Sequence, residues 1–160
     1  MKIAIGGDHA GFIYKEQLKK HLISLNYEVS DFGPFNLESV DYPDFVHPVA
    51  ESVKKKCSDF GVLICGSGQG VSITANKHNG IRAALAWNAE VTELSRKHND
   101  ANIICLPARF VSYDVAQSLV SLFLQTKFSA GRHKRRVKKI NYCYTPITLF
   151  YHPDVGKINS

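Results

Sequence analysis

The stretch Phe60-Gly61-Val62-Leu63-Ile64-Cys65-Gly66-Ser67-Gly68-Gln69-Gly70 joins an apolar run to a glycine-rich turn. An apolar run without polar alternation predicts a strand that is buried on both faces, as in a parallel sheet. The turn leads into a segment, through about Lys77, that we predict to be helical. A strand, a glycine loop and a helix in this order are typical of α/β folds.

The same alternation recurs along the whole chain. The predicted strands are Lys2 to Gly6, Tyr27 to Phe32, Phe60 to Cys65, Ile81 to Trp87 and Asn102 to Leu106. The other predicted helices are Phe12 to Leu25, Phe45 to Lys56, Ala89 to Lys97 and Ser112 to Leu124. In the last of these helices, we expect Val115, Leu119, Leu122 and Phe123 to face inward. The sequence therefore predicts a doubly wound, Rossmann-like three-layer α/β sandwich with a five-stranded parallel sheet. Ligands collect at the carboxyl ends of such strands, so we expect function in segments 6–12, 32–44, 65–70, 98–100 and 106–110.

Length and composition predict one globular domain. Of 160 residues, 44% are hydrophobic, enough for a full core. We predict a domain over residues 1–140, ending in a basic helix between 128 and 140, and an extension over 141–160 with no clear pattern. No apolar run approaches the ~18 residues of a membrane span, and Asp8 interrupts any secretory signal, so we expect a cytoplasmic protein with no membrane partner. The four cysteines form no C-x-x-C pair and are expected to be free thiols.

The basic charge is concentrated at one end. Residues 1–126 hold 12 Lys and Arg against 13 Asp and Glu, whereas residues 127–160 hold 8 against 1. A nucleic-acid binder would spread such charge over a broad face, so a local anion is the better expectation.

The loop after the third strand combines a thiol with an anion receptor. Gly66, Gly68 and Gly70 let the backbone approach a ligand, and a helix start lowers a thiol pKa, so Cys65 is a candidate base or nucleophile. In the alternative interpretation Cys65 is a small core residue and the glycines only permit a tight turn. The loop lacks the Lys-Ser/Thr of a P-loop, and Val71 stands where a Cys-x5-Arg phosphatase has arginine. Its G-x-G-x-G spacing also differs from the dinucleotide fingerprint.

Three other polar groups stand out. Asp8-His9 follows the first strand and would face Cys65 if the two strands are neighbours, although Asp8 also suits a helix cap. His98-Asn99 ends the fourth helix, and His98 is either an acid–base group or, with Asn99, an ordinary helix-end residue. Arg132 and Arg136 lie four apart on a predicted helix, either to bind one phosphate or as a solvated face. No His or Cys spacing predicts a metal site.

Several short motifs in a fixed order resemble the type B ribose-5-phosphate isomerases. They are Gly7-Asp8-His9-Ala10-Gly11, Asp41-Tyr42-Pro43, Leu63 to Gly70, Ala75-Asn76-Lys77, Gly80-Ile81-Arg82-Ala83, Ser95 to Asn102 and Gly131-Arg132-His133. Each is weak alone, but their order is specific, and the resemblance runs from Lys2 to about Ile140.

The resemblance implies a metal-free, cofactor-free aldose–ketose isomerase that interconverts ribose 5-phosphate and ribulose 5-phosphate through a cis-enediolate. It makes Cys65 the base and His98 the ring-opening group. The remaining residues that it implies are Asp8 and Tyr42 at the ring oxygens, Ser67 with the amides of Gly66, Gly68 and Gly70 at the enediolate, Asn99 at the sugar or the enediolate, and His9, Arg132, Arg136 and Arg109 at the phosphate.

The resemblance also implies a homodimer at least, and it leaves a dimer of dimers open. His98, Asn99 and Arg109 would then meet Cys65 across the interface. Three alternatives remain at this point: a hexose isomerase acting on allose or galactose 6-phosphate, a non-catalytic sugar-phosphate binding protein, and a nucleic-acid adaptor using residues 127–139. The first two share the thiol loop, and the third is disfavoured by the local charge.

Overall fold

The computed structural model describes residues 1–140, and five strands alternate with helices along that range. The strands are β1 (Lys2–Gly7), β2 (Glu28–Asp31), β3 (Phe60–Cys65), β4 (Ala83–Leu85) and β5 (Ile103–Pro107). The helices are α1 (Phe12–Ser24), α2 (Tyr42–Lys54), α3 (Gln69–Ala75), α4 (Ala89–Asn99), α5 (Tyr113–Gln125) and α6 (Gly131–Val137), and a short 3-10 turn, His9–Gly11, precedes α1.

The strands form one parallel sheet in the order β2-β1-β3-β5-β4. Ile5 pairs with Val62, and Val62 in turn pairs with Ile104 across the centre of the sheet. The predicted three-layer α/β sandwich with five parallel strands is therefore confirmed.

Each face of the sheet carries its own hydrophobic core. On one face Leu18 and Leu22 of α1 pack with Leu119 and Phe123 of α5. On the other face the apolar residues of α2 and α3, such as Val49 and Val71, cover the sheet. Successive residues of the central strands point to opposite cores, which is why these strands are apolar throughout.

The boundaries differ from the prediction in places that have physical reasons. The strand expected over Ile81 to Trp87 shrinks to β4, because it pairs with β5 alone and Arg82 N–H donates to the Asn102 side chain at 2.8 Å. Helix α2 begins at Tyr42, three residues early, since Pro43 suits a first helical turn. The basic helix, expected after Gly131 within residues 128–140, begins at Gly131 and already ends at Val137.

Two expectations about side chains and loops are wrong. Val115 is 41% exposed, and Ala116 and Val120 face the core in its place. Segment 98–100 lies just before β5, at the amino ends of the strands and not at their carboxyl ends, because α4 runs back along the sheet.

The predicted extension over residues 141–160 lies outside the described residues, and so does Cys143. Within residues 1–140, every helix is too short or too polar to cross a bilayer.

Candidate functional site

The candidate site lies where β1 and β3 run side by side. Gly7 pairs with Ile64 in adjacent parallel strands. The loop after β1 and the loop after β3 are therefore neighbours at the carboxyl ends of these strands. Asp8 N–H donates to the Ile64 carbonyl at 3.1 Å and holds the two loops together. Together with Tyr42 and the loop after β5, they surround a cleft of about 330 Å³. Its lining residues are Asp8, His9, Ala10, Tyr42, Cys65, Gly66, Ser67, Gly70, Arg109 and Phe110.

Cys65 is buried and still reaches this cleft. The residue is only 4% exposed and packs in the core beneath α2 and α3, yet it forms part of the cleft lining. Its Sγ accepts a hydrogen bond from Gly68 N–H at 3.0 Å. Cys105 contrasts with it, because complete burial raises the pKa of the Cys105 thiol well above its ordinary value.

The glycines of the Cys65 loop have specific structural tasks. Gly68 has a φ of +73°, and a Cβ there would come within 2.3 Å of Leu85 Cδ1. A Cβ on Gly70 would come within 2.6 Å of the Tyr42 ring, so Gly70 makes room for Tyr42 at the cleft. Because the Gly68 N–H donates to the sulfur and the Gln69 N–H to Ser67 Oγ at 3.4 Å, the loop amides left to bind a substrate oxygen are those of Gly66, Ser67 and Gly70.

Asp8 and His9 are held by their own backbone contacts. Asp8 Oδ1 accepts from Gly11 N–H at 2.8 Å, so this carboxylate caps the turn and lines the cleft at once. His9 Nδ1 accepts from the backbone N–H of Val40 at 3.3 Å. Both interpretations of Asp8 from the sequence, cap and cleft residue, therefore fit its position.

The loop after β5 is pinned to the Cys65 loop. Ala108 N–H donates to the Cys65 carbonyl at 2.9 Å, and Arg109 N–H donates to the Gly66 carbonyl at 3.1 Å. The Arg109 side chain therefore lies in the same cleft as Cys65 of its own chain, and the prediction that Arg109 reaches Cys65 from another subunit is wrong. Phe110, which the sequence reasoning missed, lines the cleft as the next residue of the predicted segment 106–110.

The other predicted site residues are not in the cleft of the same chain. His98 and Asn99 are the last residues of α4. They lie at the amino ends of the strands, whereas Cys65 lies at the carboxyl end of β3. Asn99 lines a separate cavity with Arg82 and Ser95. Arg132 and Arg136 lie on α6, four residues apart and exposed.

His133 is a further residue that the sequence reasoning did not select. Its ring stacks on that of His98 with the centroids 4.1 Å apart and the planes 4° from parallel. Loss of solvent, and then the neighbouring His98, Arg132 and Arg136, lower the pKa of His133 below its ordinary value. The sequence feature that could have pointed to His133 is its position between the two candidate phosphate ligands Arg132 and Arg136.

An arginine clamp holds the end of α4. Asp100, at a φ of +48°, accepts from Arg82 at 3.1 Å and from Arg96 at 2.9 Å. Arg82 Nε also donates to the carbonyls of Asn99 and Asp100. His98 and Asn99 are thus presented on a rigid helix end.

No group of three or more His, Cys, Asp or Glu side chains within residues 1–140 is arranged to hold a metal ion. The chemistry available at the cleft is that of a thiol, a carboxylate, an imidazole, a phenol and a guanidinium.

Comparison with known proteins connects these residues to a family. The sequence model of the family described as Ribose/Galactose Isomerase matches residues 3–140. Ribose-5-phosphate isomerase B of Escherichia coli (strain K12) is 42% identical over 139 residues, covering 87% of this chain and 93% of the relative. Ribose-5-P isomerase B of Listeria innocua is 44% identical over 137 residues, with 86% and 93% covered.

Solved structures give the same result. Ribose-5-phosphate isomerase B of Clostridium thermocellum is 50% identical, superposes with a TM-score of 0.87, and is matched over 88% of this chain and 95% of its own. The Mycoplasma genitalium enzyme with bound ribulose 5-phosphate has a TM-score of 0.84 at 42% identity, covering 87% of this chain and 93% of its own. With its matched residues spanning the sheet, the thiol loop and α6, this chain belongs to the ribose/galactose isomerase family.

Proposed function

We propose that this chain is an aldose–ketose isomerase that interconverts ribose 5-phosphate and ribulose 5-phosphate, with Cys65 as the base. The observation that carries the proposal is the Cys65 sulfur in the wall of a cleft beside Asp8, His9 and Arg109. Relatives named ribose-5-phosphate isomerase B, and one of them solved with ribulose 5-phosphate, support the choice of sugar.

The first step opens the furanose ring. The C1–O4 bond breaks, the O1 hydroxyl loses its proton, and O4 gains one, which leaves a carbonyl at C1. An imidazole suits both proton movements near neutral pH, and we assign this role to His98. Asp8 and Tyr42 hold the ring oxygens, and Asn99 contacts the sugar.

The second step moves a proton along the sugar. The Cys65 thiolate removes the proton from C2, and the C–H electron pair forms a C1–C2 double bond while the charge moves to O1. The thiol then returns the proton to C1, and the O2 proton passes to O1 as C2 becomes the ketone. The free amides of the Cys65 loop and the Ser67 hydroxyl stabilise the enediolate, an interaction worth ~3 kcal/mol in such sites.

The phosphate needs cations and N–H donors at a fixed distance from Cys65. Arg109 and His9 already lie at the cleft, and Arg132 and Arg136 supply the strongest local positive charge. Guanidinium groups bind phosphate by paired hydrogen bonds.

We further propose a homodimer in which a second copy completes each site. In one chain, His98 and Cys65 lie at opposite ends of the strands of the sheet. A single substrate therefore reaches both only if they come from different copies. An apolar groove of about 440 Å³ beside the cleft, lined by Leu85, Trp87 and Phe110 among others, supports this. Trp87 is 51% and Phe110 74% exposed, and an interface would bury them.

The test is Cys65→Ala, assayed with ribose 5-phosphate. We expect kcat to fall about a thousandfold, within the usual contribution of a general base, with unchanged circular dichroism. Cys57→Ser is the matched control, because Cys57 is exposed and outside the cleft, and it should keep full activity. Unchanged turnover in Cys65→Ala would reject the assigned base.

A substrate panel tests the sugar. Faster turnover of allose or galactose 6-phosphate than of ribose 5-phosphate would select a hexose isomerase, and binding without turnover of any sugar would select a non-catalytic binding protein.

A further inference from the structure

Lys15 is a buried cation that the proposed chemistry does not use. It lies on α1 with no exposed surface, and its Nζ donates to Asp31 Oδ1 at 2.8 Å and Oδ2 at 2.7 Å. Glu16 Oε1 accepts from it at 2.6 Å. A buried ammonium is strongly unfavourable unless it is paired, so this contact holds the surrounding backbone in one arrangement.

Asp31 keeps its charge in this pair. Burial alone would raise its pKa, but hydrogen bonds from Lys15, Lys19 and Gly33 N–H outweigh that effect, and the pKa lies below its ordinary value. The carboxylate is therefore ionised at neutral pH.

The pair connects to the loop that carries Asp8 and His9. Asp31 ends β2, and its Oδ1 accepts from Gly33 N–H at 2.9 Å. The Gly33 carbonyl accepts from Gly7 N–H at 3.0 Å, immediately before Asp8. The turn after β2 is thus fastened to Asp31 on one side and to the cleft loop on the other.

Val40 lies at the far end of the segment that this turn begins. Gly33 and Pro34 are buried, whereas every residue from 35 to 39 is exposed, so little core packing fixes this stretch. Its position depends on its anchored ends. At the far end, Val40 N–H donates to His9 Nδ1 at 3.3 Å.

This contact determines which His9 nitrogen carries the proton. A nitrogen that accepts a hydrogen bond has no proton of its own, so neutral His9 bears its proton on Nε2. The Nε2–H is a donor, and a phosphate oxygen accepts only from a donor. A proton on Nδ1 would oppose Val40 N–H and leave Nε2 as an acceptor that repels phosphate.

We propose that Lys15 and Asp31 are a positioning pair that, through Gly33 and Val40, holds His9 as an Nε2–H donor for the substrate phosphate. The inference rests on the proposed function, since it assumes that His9 contacts the phosphate. Neither residue touches the substrate.

Kinetics of Asp31→Asn and Lys15→Met test the pair. We expect KM for ribose 5-phosphate to rise about tenfold, the worth of a hydrogen bond to a charged group, with kcat within about twofold. Lys19→Met is the matched control: Lys19 contacts the same Asp31 oxygen from a partly exposed position, and its loss should change KM less than about twofold. An unchanged KM in both folded variants overturns the pair.

A second readout separates positioning from general destabilisation. Nitrogen-15 NMR of the His9 ring in the free wild-type protein should show an unprotonated Nδ1 and a protonated Nε2, and Asp31→Asn should mix the two tautomers. If Asp31→Asn does not fold, Val40→Pro removes the N–H donor to His9 directly and should give the same mixture. A wild-type His9 protonated on Nδ1 overturns the proposal.

Removing the His9 side chain separates this inference from the proposed function. The variant used is His9→Ala, because a Gln amide could replace the Nε2–H donor. If His9→Ala leaves KM unchanged, the phosphate role of His9 falls, and the inference falls with it, while the Cys65 assay still decides the isomerase. If His9→Ala raises KM and Asp31→Asn adds nothing further to it, the two act as one unit, as expected. Additive effects of the two changes would overturn the positioning role.

Discussion

Cys65 can be interpreted as a core residue or as a reactive one. Its 4% exposure fits the first interpretation, and its place in the cleft wall fits the second. Cys65 is the last residue of β3, so its side chain packs against the core while its sulfur reaches the cleft at the start of the loop. The sequence placed the thiol beside glycines, but the surface that reaches it is made by the loops after β1 and β5.

Gly68→Ala tests how the loop presents the sulfur. The φ of +73° and the approach of a Cβ to Leu85 together should lower the free energy of unfolding by about 3 kcal/mol. The Gly68 N–H should also shift away from Cys65 Sγ, so kcat should fall. Urea unfolding and steady-state kinetics measure the two effects.

Gly80→Ala is the control for that variant. Gly80 has a φ of +83°, but a Cβ there meets no atom within 4 Å, so only backbone strain of about 1 kcal/mol is expected, with kcat unchanged. An equal loss of stability in both variants would mean that the Leu85 contact contributes nothing.

A side-chain hydrogen bond joins helix α2 to the segment after α3. Glu51 Oε1 accepts from Lys54 at 3.0 Å on its own helix and from His78 Nδ1 at 2.9 Å across the gap. His78 Nε2 in turn lies 2.8 Å from His47 Nδ1 on α2. Helix α2 carries Tyr42 at its first turn, and α3 follows the Cys65 loop, so the contact ties together two elements that border the cleft.

Glu51→Gln tests this contact through its pH dependence. Hydrogen bonds from Lys54 and then His78 lower the pKa of Glu51 from 4.5 to about 2. A carboxyl whose pKa is depressed on folding stabilises the protein above its ordinary pKa, and that contribution disappears as the pH falls towards the folded value. Urea unfolding should therefore show Glu51→Gln less stable than wild type at pH 6, with the difference shrinking between pH 4.5 and pH 3.

Glu93→Gln is the control for the link between elements. Glu93 pairs with Lys97 within α4 alone, at 2.6 Å on the surface. It should lose less stability at pH 6 than Glu51→Gln does. An equal loss would assign the effect to surface charge and not to the contact between α2 and His78.

In the whole molecule, the two groups proposed for proton transfer, Cys65 and His98, lie at opposite ends of the strands of one sheet. Helix α4 runs back from the carboxyl end of β4 to the amino end of β5, and it carries His98 and Asn99 away from Cys65. The exposed Trp87 and Phe110 beside the cleft provide apolar area for a second copy.

Mixing two inactive variants tests whether sites are shared. Cys65→Ala and His98→Asn should each be inactive, but a heterodimer of the two has one site with both native residues. After dissociation and random reassociation of equal amounts, about a quarter of wild-type activity should return. The readout is the isomerase rate of the mixture against the same mixture without reassociation. No recovery despite heterodimer formation would overturn the shared site.

The layers and the strand count follow from the amino-acid sequence alone, because apolar runs such as Val62 to Cys65 can be satisfied only by burial on both faces. The positions of Cys65, Asp8 and Arg109 at strand ends follow in the same way, since turns follow buried strands. The order of the strands does not follow from the sequence, and this order makes Asp8 a neighbour of Cys65 while His98 lies far from it. The physical reason is that local residue patterns report which face of an element is buried, whereas neighbours in a sheet and the direction of a returning helix depend on packing between segments distant in the chain.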